Sequence, residues 1–180
     1  MIKDQSIFIS ALKNSETKDS AFKKLIELYK EKIYWHIRKI VLDHDDANDV
    51  VQNTFLKIYL NIEKFKENSK IYTWMYRIAT NESLNFIKSK SSKIGLSSYD
   101  WIDAKASSLF ADSYFNGDEA SLKLQKEVAK LPEKQRLVFN MKYFDKMKYN
   151  QISEILDSTV GSLKASYHHA VTKIKNNLNE

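Results

Sequence analysis

Along residues 160–178 apolar side chains recur at helical intervals. Leu163, Tyr167, Ala170, Val171, Ile174 and Leu178 fall on one stripe and leave Ser162, Lys164, Ser166, His168, His169 and Lys173 on the opposite side. The run LPEKQRLVFNMKYFDKMKYNQISEILDSTVGSLKASYHHAVTKIKNNL predicts two short amphipathic helices and this longer one, with a turn between the final pair. That is the pattern of a helix-turn-helix, in which one face of the last helix packs while the other can read DNA. In the N-terminal half, Phe22, Leu25, Ile26, Tyr29, Ile33, Ile37 and Ile40 trace a long amphipathic helix, and a second is predicted from about Asp46 to Ile62. Both have the character of bundle helices. The second opens on the acidic run DHDDANDVV, where Asp45 or Asp46 can cap the helix and the first-turn carboxylates suit its dipole. Capping does not account for Asp49 and Gln52, which lie further in and share a face with Asn53.

Turn chemistry is scarce. The only glycines are Gly95, Gly117 and Gly161 and the only proline is Pro132, too few for strands and hairpins, so the expected fold class is all-α. Gly95 and Gly117 bracket a serine-rich stretch without clean periodicity, which reads as a linker over 91–118 between two small helical domains, 1–90 and 119–180. Trp101, Leu109, Phe110, Tyr114 and Phe115 lie in it, and such residues need something to pack on.

Charge follows these boundaries. Residues 1–90 hold 16 Lys+Arg against 12 Asp+Glu (+4), the linker 2 against 4 (−2), and residues 119–180 hold 11 against 7 (+4), for +6 over 180 residues. Two basic modules joined by an acidic tether suit a polyanion partner. With 43% apolar and 12% aromatic residues the chain can bury cores. It has no cysteine, which excludes disulfides, thiolate metal sites and cysteine nucleophiles and suits a reducing cytoplasm. No segment approaches the roughly 20 apolar residues of a membrane span and no secretory leader is evident, so the expected location is cytoplasmic without membrane insertion.

The segment KFKENSKIYTWMYRIATNESLNFIKSKSSK places Phe65, Tyr72, Trp74, Tyr76 and Phe86 among Arg77, Lys88 and Lys90. Aromatic rings are stacking platforms for bases and cations follow a phosphate backbone, the combination needed to handle unstacked single-stranded DNA. A purely structural account would make Trp74, Ile78 and Phe86 core, but a small bundle rarely needs so many aromatics interleaved with lysines and asparagines.

The run from Asp46 through DVVQNTFLKIY to KIYTWMYRIATN and SLNFIK resembles the second conserved region of the small extracytoplasmic-function sigma factors of bacterial RNA polymerase, in the sigma-70 family. The closing run LPEKQRLVF, MKYF, QISEIL and TVGSLK resembles their fourth region, and the order and spacing agree. The resemblance implies a promoter-specificity subunit that binds core polymerase and directs initiation from minus-35 duplex and melted minus-10 DNA. It assigns docking on the beta-prime clamp helices to Asp46, Asp49, Val50, Gln52, Asn53, Phe55 and Leu56, with Asn53 standing where an acidic residue is usual. Minus-ten recognition and melting falls to Phe65, the loop 66–70 including Lys70, and Tyr76, Arg77, Ile78 and Asn81. Trp74 and Lys88 join them from the aromatic–cationic pattern, as does Asn85, where many relatives carry aspartate.

In the fourth region the resemblance turns Ser162, Lys164, Ala165, Ser166, His168, His169 and Lys173 toward the minus-35 major groove. Ser166 and His169 stand where arginine is common, and neither can make arginine's bidentate guanine contact. The implied partners are RNA polymerase core, through the beta-prime clamp helices and beta flap, promoter DNA, and an anti-sigma factor. In the linker, Asp100, Asp103, Asp112 and Asp118 fit a nucleic-acid mimic near the polymerase active site as well as plain solubility.

No catalytic residue, cofactor or metal is expected. His168 and His169 are adjacent, whereas helical ligand pairs favour i, i+4 spacing, and His36 and His44 read as surface or helix-end residues. Two rivals of other classes are a stand-alone helix-turn-helix regulator binding an operator and a metal-dependent single-strand nuclease. The aromatic–asparagine segment Trp74–Asn85 argues against the first, which has no melted bases to stack.

Overall fold

In the computed structural model, residues 5–109 and 119–179 are described, and all of their regular structure is helical. Phe110, Asp112, Tyr114, Phe115 and Asp118 lie outside that range. The helices are α1 (Gln5–Lys13), α2 (Lys18–Val41), α3 (His44–Asn61), α4 (Ile71–Lys93), α5 (Ser98–Ser108), α6 (Glu119–Ala129), α7 (Glu133–Phe139), α8 (Tyr149–Leu156) and α9 (Val160–Asn179).

Helices α2, α3 and α4 pack pairwise into a bundle, with α1 laid on α2. Leu25, Ile33, Ile37 and Ile40 of α2 meet Val50 and Ile58 of α3 and Ile71, Met75, Ala79 and Ile87 of α4, all buried at helical spacing. Leu42 in the left-handed region (φ 63) ends α2, its N–H reaching the Arg38 carbonyl. The chain then extends through Asp43, whose carboxylate accepts from the Asp46 N–H at 3.0 Å. The cap of α3 is therefore Asp43 rather than Asp45 or Asp46, because the helix starts at His44, ahead of the apolar periodicity that marks it. Helix α4 stops in a Schellman turn: Gly95 takes φ 72, its N–H meets the Ser92 carbonyl and the Leu96 N–H meets that of Ser91.

The first half of the expected linker is a helix. Ser97 caps α5 by accepting from the Asp100 N–H, and Trp101, Ile102 and Ala106, followed by Leu109, are buried. Trp101 meets Phe86 edge to face at 6.5 Å, and Lys105 reaches Asp43 at 2.8 Å and Asp46 at 3.0 Å. Trp101 thus packs on the α4 side of the bundle and Lys105 ties α5 to α3, while Asp100 and Asp103 stay exposed.

In the C-terminal half, α9 packs against α6, α7 and α8. Pro132 leads into α7, which continues as a π-helical turn over Asn140–Phe144. The Arg136 guanidinium is buried and donates to the Ala129 carbonyl at the end of α6 (3.4 Å). Asp157, left-handed at φ 47, closes α8, and Thr159 accepts from the Ser162 N–H to start α9. Leu163, Ala170 and Ile174 are buried, Tyr167 and Val171 half-buried, and Leu178, at the far end of the predicted stripe, is exposed. The two halves also touch: α8 lies against α4, and the π-helical turn against α2.

Candidate polymerase and promoter interfaces

Helix α3 divides its seven candidates by face. Asp49, Gln52, Asn53 and Leu56 are exposed, whereas Asp46, Val50 and Phe55 are buried. Asp46 faces Lys105 at 3.0 Å and Lys90 at 3.7 Å, so its carboxylate ties α3 to α5 and α4. Burial alone would push the Asp43 carboxyl up, but the Asp46 N–H and the Lys105 ammonium hold it below the usual range. Leu60, 64% exposed and one turn beyond Leu56 at 56%, extends the outer stripe. Its signal in the sequence was an apolar side chain at i+4 on an otherwise polar face.

On α4, Arg77, Asn81, Asn85 and Lys88 are exposed at spacings of 4, 4 and 3, which sets them in one row along the helix. Trp74 and Ile78 are half-buried beside that row. Phe65 is buried, its ring 5.1 Å from that of Trp74. Tyr76 points the other way, into the bundle, with ring contacts to Tyr72 at 4.2 Å and His36 at 4.6 Å and its hydroxyl donating to the Lys32 carbonyl. Burial, followed by the neighbouring Tyr72, pushes the Tyr76 phenol far above the usual tyrosine range. Phe65 and Tyr76 thus support the site from beneath, while Trp74 and the polar row form its accessible surface.

The loop between α3 and α4 is pinned by a residue that the sequence reading missed. The Lys13 ammonium of α1 donates to the Phe65 carbonyl and to Glu67 Oε1, both at 2.9 Å, and Glu67 takes φ 60. Exposed Lys64, Lys66 and Lys70 surround this anchor. Two depressions flank Trp74. One of about 310 Å³ is lined by Lys57, Asn61, Lys64, Ile78, Asn81 and Glu82, with Lys57 and Glu82 paired. The other, about 520 Å³, includes Lys64, Lys66, Thr73 and Arg77, and also Glu154 and Asp157 from the end of α8. Aromatic walls with amide and cationic rims can receive an unstacked base and its phosphates.

On α9, Lys164, Ala165, His168, His169 and Lys173 are exposed and Ser162 and Ser166 half-buried. Ser162 accepts from the Lys134 ammonium of α7 at 3.0 Å, which adds a cation beside the helix N-terminus. Among the described residues no group of three or more potential ligands could hold a metal ion. His44 stands at the start of α3, bonded to Tyr34 and Asn48, in line with its reading as a helix-end residue. His36 is not a surface residue: it is 1% exposed, with Nδ1 2.8 Å from Asp145 and Nε2 2.9 Å from Thr80. Its partner lies 109 positions away, beyond the reach of local periodicity.

Residues 25–93 match Sigma-70 region 2 and residues 121–174 match Sigma-70 region 4. A helical bundle followed by a helix-turn-helix, matched in that order, has the two-region make-up of a sigma-70 factor. Its relatives include the ECF RNA polymerase sigma factor SigW of Bacillus subtilis, 31% identical over 174 residues, which cover 89% of this chain and 90% of that one. The ECF RNA polymerase sigma-E factor of Salmonella typhi is 28% identical over 164 residues, covering 87% and 85%. The chain belongs to the ECF RNA polymerase sigma factors. Its fold is shared with CnrH, solved in complex with the cytosolic domain of CnrY (TM-score 0.69, 17% identity, 97% of each chain). It is shared too with the sigma factor RpoE of Bartonella quintana, solved with the anti-sigma factor NepR (TM-score 0.67, 17% identity, 88% of this chain and 96% of that one).

Proposed function

We propose that this chain is a promoter-specificity subunit that associates with bacterial RNA polymerase core and directs initiation, with residues 1–90 reading and melting the minus-ten element and 119–180 reading the minus-35 duplex. The observation that carries this reading is the pairing of two exposed rows on modules of matched type: Arg77, Asn81, Asn85 and Lys88 beside Trp74 on region 2, and Lys164, His168, His169 and Lys173 on region 4. Separating DNA strands loses stacking of about 1–2 kcal/mol per step, and stacking on a protein aromatic returns a comparable amount to a selected base. Lys64, Lys66 and Lys70 supply the charge that draws in the backbone.

The outer stripe of α3, Asp49, Gln52, Asn53 and Leu56 extended by Leu60, is the docking face for the beta-prime clamp helices, with Asp46, Val50 and Phe55 shaping it from inside. Region 4 takes the beta flap as its second anchor. Nucleotide addition belongs to the core, and the chain contributes recognition without catalysis, metal or cofactor. An anti-sigma factor is the expected regulator, in keeping with the complex in which Bartonella quintana RpoE was solved. Among the described residues no helix is long and apolar enough to cross a membrane, and the protein works where the polymerase does, in the cytoplasm. Copurification with core polymerase and a core-dependent run-off transcript from a mapped promoter test the assignment.

A further inference from the structure

Residues 66–70, between α3 and α4, form no helix, yet their path is fixed from outside the loop. Lys18, at the start of α2, pairs with Glu63 at 3.6 Å and lies 4.4 Å from the centre of the Tyr59 ring, which steadies the turn Ile62–Lys64. Just beyond it, the Lys13 ammonium meets the Phe65 carbonyl and Glu67 Oε1 together, both at 2.9 Å, with the Phe65 ring 6.0 Å away. A lysine in the last turn of a helix is ordinarily accounted for by the helix's own carbonyls and dipole. This one reaches 54 positions along the chain instead. Ile9 and Leu12 are buried in the bundle core and hold α1 in place, so the ammonium is delivered from a fixed base.

Glu67 is where that grip matters. Its φ of 60 is costly for a residue with a Cβ and persists only where the surroundings impose it. The Lys13 and Glu67 side chains are 30% and 45% exposed, and an ion pair so open holds little by itself. The carbonyl contact supplies the rest, because Phe65 is buried and its backbone is already anchored. One ammonium therefore ties a fixed point of the loop to its strained one. Lys66, Glu67, Asn68 and Ser69, on either side of that point, form one wall of the larger depression beside Trp74 and Arg77.

We propose that Lys13 is a positioning residue of the minus-ten site: by holding the Phe65 carbonyl and Glu67 together it fixes the loop wall against which one unstacked base is selected, and so brings α1 into promoter recognition. The role rests on the assignment of loop 66–70 and Trp74 to the melted minus-ten strand. Hydrogen bonds to a base edge weaken steeply with misalignment, whereas attraction to phosphates depends little on the exact path of a loop. Loss of Lys13 therefore costs selectivity before it costs general affinity. With two acceptors already engaged, the ammonium acts through the loop and not on the DNA.

Lys13→Met keeps the length of the stem and removes the donor. Holoenzyme reconstituted from the full chain and core polymerase is titrated, over a range of salt, with short single-stranded non-template DNAs that carry each of the four bases at each position of a mapped minus-ten element. The wild type is expected to prefer one base at the captured position. Lys13→Met should lower that preference about tenfold, with affinity for the non-preferred DNAs and the salt slope unchanged. Glu67→Ala should lower the preference too, and the double variant should lose no more than Lys13→Met alone, since the two side chains share one contact. Glu67→Ala, at an exposed loop position, serves where Lys13→Met loses helical circular dichroism. A base preference kept in both single variants overturns the positioning role, whatever happens to melting temperature. A uniform loss of affinity with a salt slope lower by about one overturns it as well, because the ammonium would then sit on a phosphate. Wild-type holoenzyme that discriminates bases alongside variants that do so equally removes Lys13 and leaves the sigma assignment standing; a wild-type chain that does not associate with core removes both.

Discussion

The rings of Phe65 and Trp74 lie 5.1 Å apart at an angle of 41°, and Trp74 is the one of the pair that borders both depressions of the proposed minus-ten surface. Phe65, 3% exposed, supports it from below and anchors the loop through its carbonyl to Lys13. Phe65→Ala leaves a cavity and should cost about 3–5 kcal/mol of folding stability. Asn81→Ala, on the exposed row, should change stability by no more than about 0.5 kcal/mol. Both should abolish promoter opening, but only Asn81→Ala does so with the fold and core binding untouched. Thermal unfolding and permanganate reactivity of the two variants, measured side by side, check this, and loss of core binding on Asn81→Ala would make that side chain structural.

The split of α3 predicts opposite outcomes for neighbours. Leu56→Asp places a charge on the exposed docking stripe and should weaken core binding at least tenfold with little change in melting temperature. Phe55→Ala, on the buried side, should destabilise the fold by about 3–5 kcal/mol and affect core binding only through that loss. Titration against core polymerase, paired with denaturant unfolding, distinguishes them; equal effects of the two on both measurements would contradict the assigned faces.

Lys164 is exposed on the reading face of α9, at i, i+4 from His168. Lys164→Ala should weaken minus-35 duplex binding by about 1–3 kcal/mol with an unchanged salt slope if the ammonium meets a base, or lower the slope by about one if it meets phosphate. Duplex titrations over a range of salt decide which, and affinity and slope both unchanged would remove Lys164 from the interface.

Burial alone would push the Asp145 carboxyl up, yet the hydrogen bond and charge of His36 and the charge of Lys39 hold it below the usual aspartate range. Tyr72 and Tyr76 of α4 face it as well, their phenols pushed up by burial first and by the Asp145 charge among the lesser causes. A carboxyl depressed in the folded state contributes stability that is full above its unfolded value, about 3.9, and fades as pH falls through the folded one. The stability advantage of the wild type over Asp145→Asn should therefore, for this group, persist down to about pH 4 and shrink only below it. Unfolding free energies measured across that range check the sign, and an advantage already gone by about pH 5 would contradict it.

Periodicity made α9 and its two faces legible, because burial on a helix repeats within a few residues and Leu163, Ala170 and Ile174 pack as their spacing predicts. Residue type alone did not tell which α3 candidates face outward: Val50 and Phe55 are apolar and buried, yet Leu56 is apolar and exposed. Helix α5 was foreshadowed only by its need to bury Trp101 and Leu109, since serines blur its apolar pattern. The depth of His36 and the contact between α4 and α8 depend on residues more than a hundred positions apart or on different modules, and no local pattern encodes such pairings. Lys13 was invisible for the same reason, 52 positions from the carbonyl it holds.

Promoter opening that requires both this chain and core polymerase is the most direct test. The purified protein, core polymerase and a promoter mapped by transcript sequencing are combined, and permanganate reactivity of minus-ten thymines is read together with run-off product. The predicted result is reactivity and transcript only when protein and core are both present, with both signals lost on Asn81→Ala. Binding to duplex promoter DNA without core association, and with no core-dependent opening, would contradict the assignment of this chain as a sigma factor.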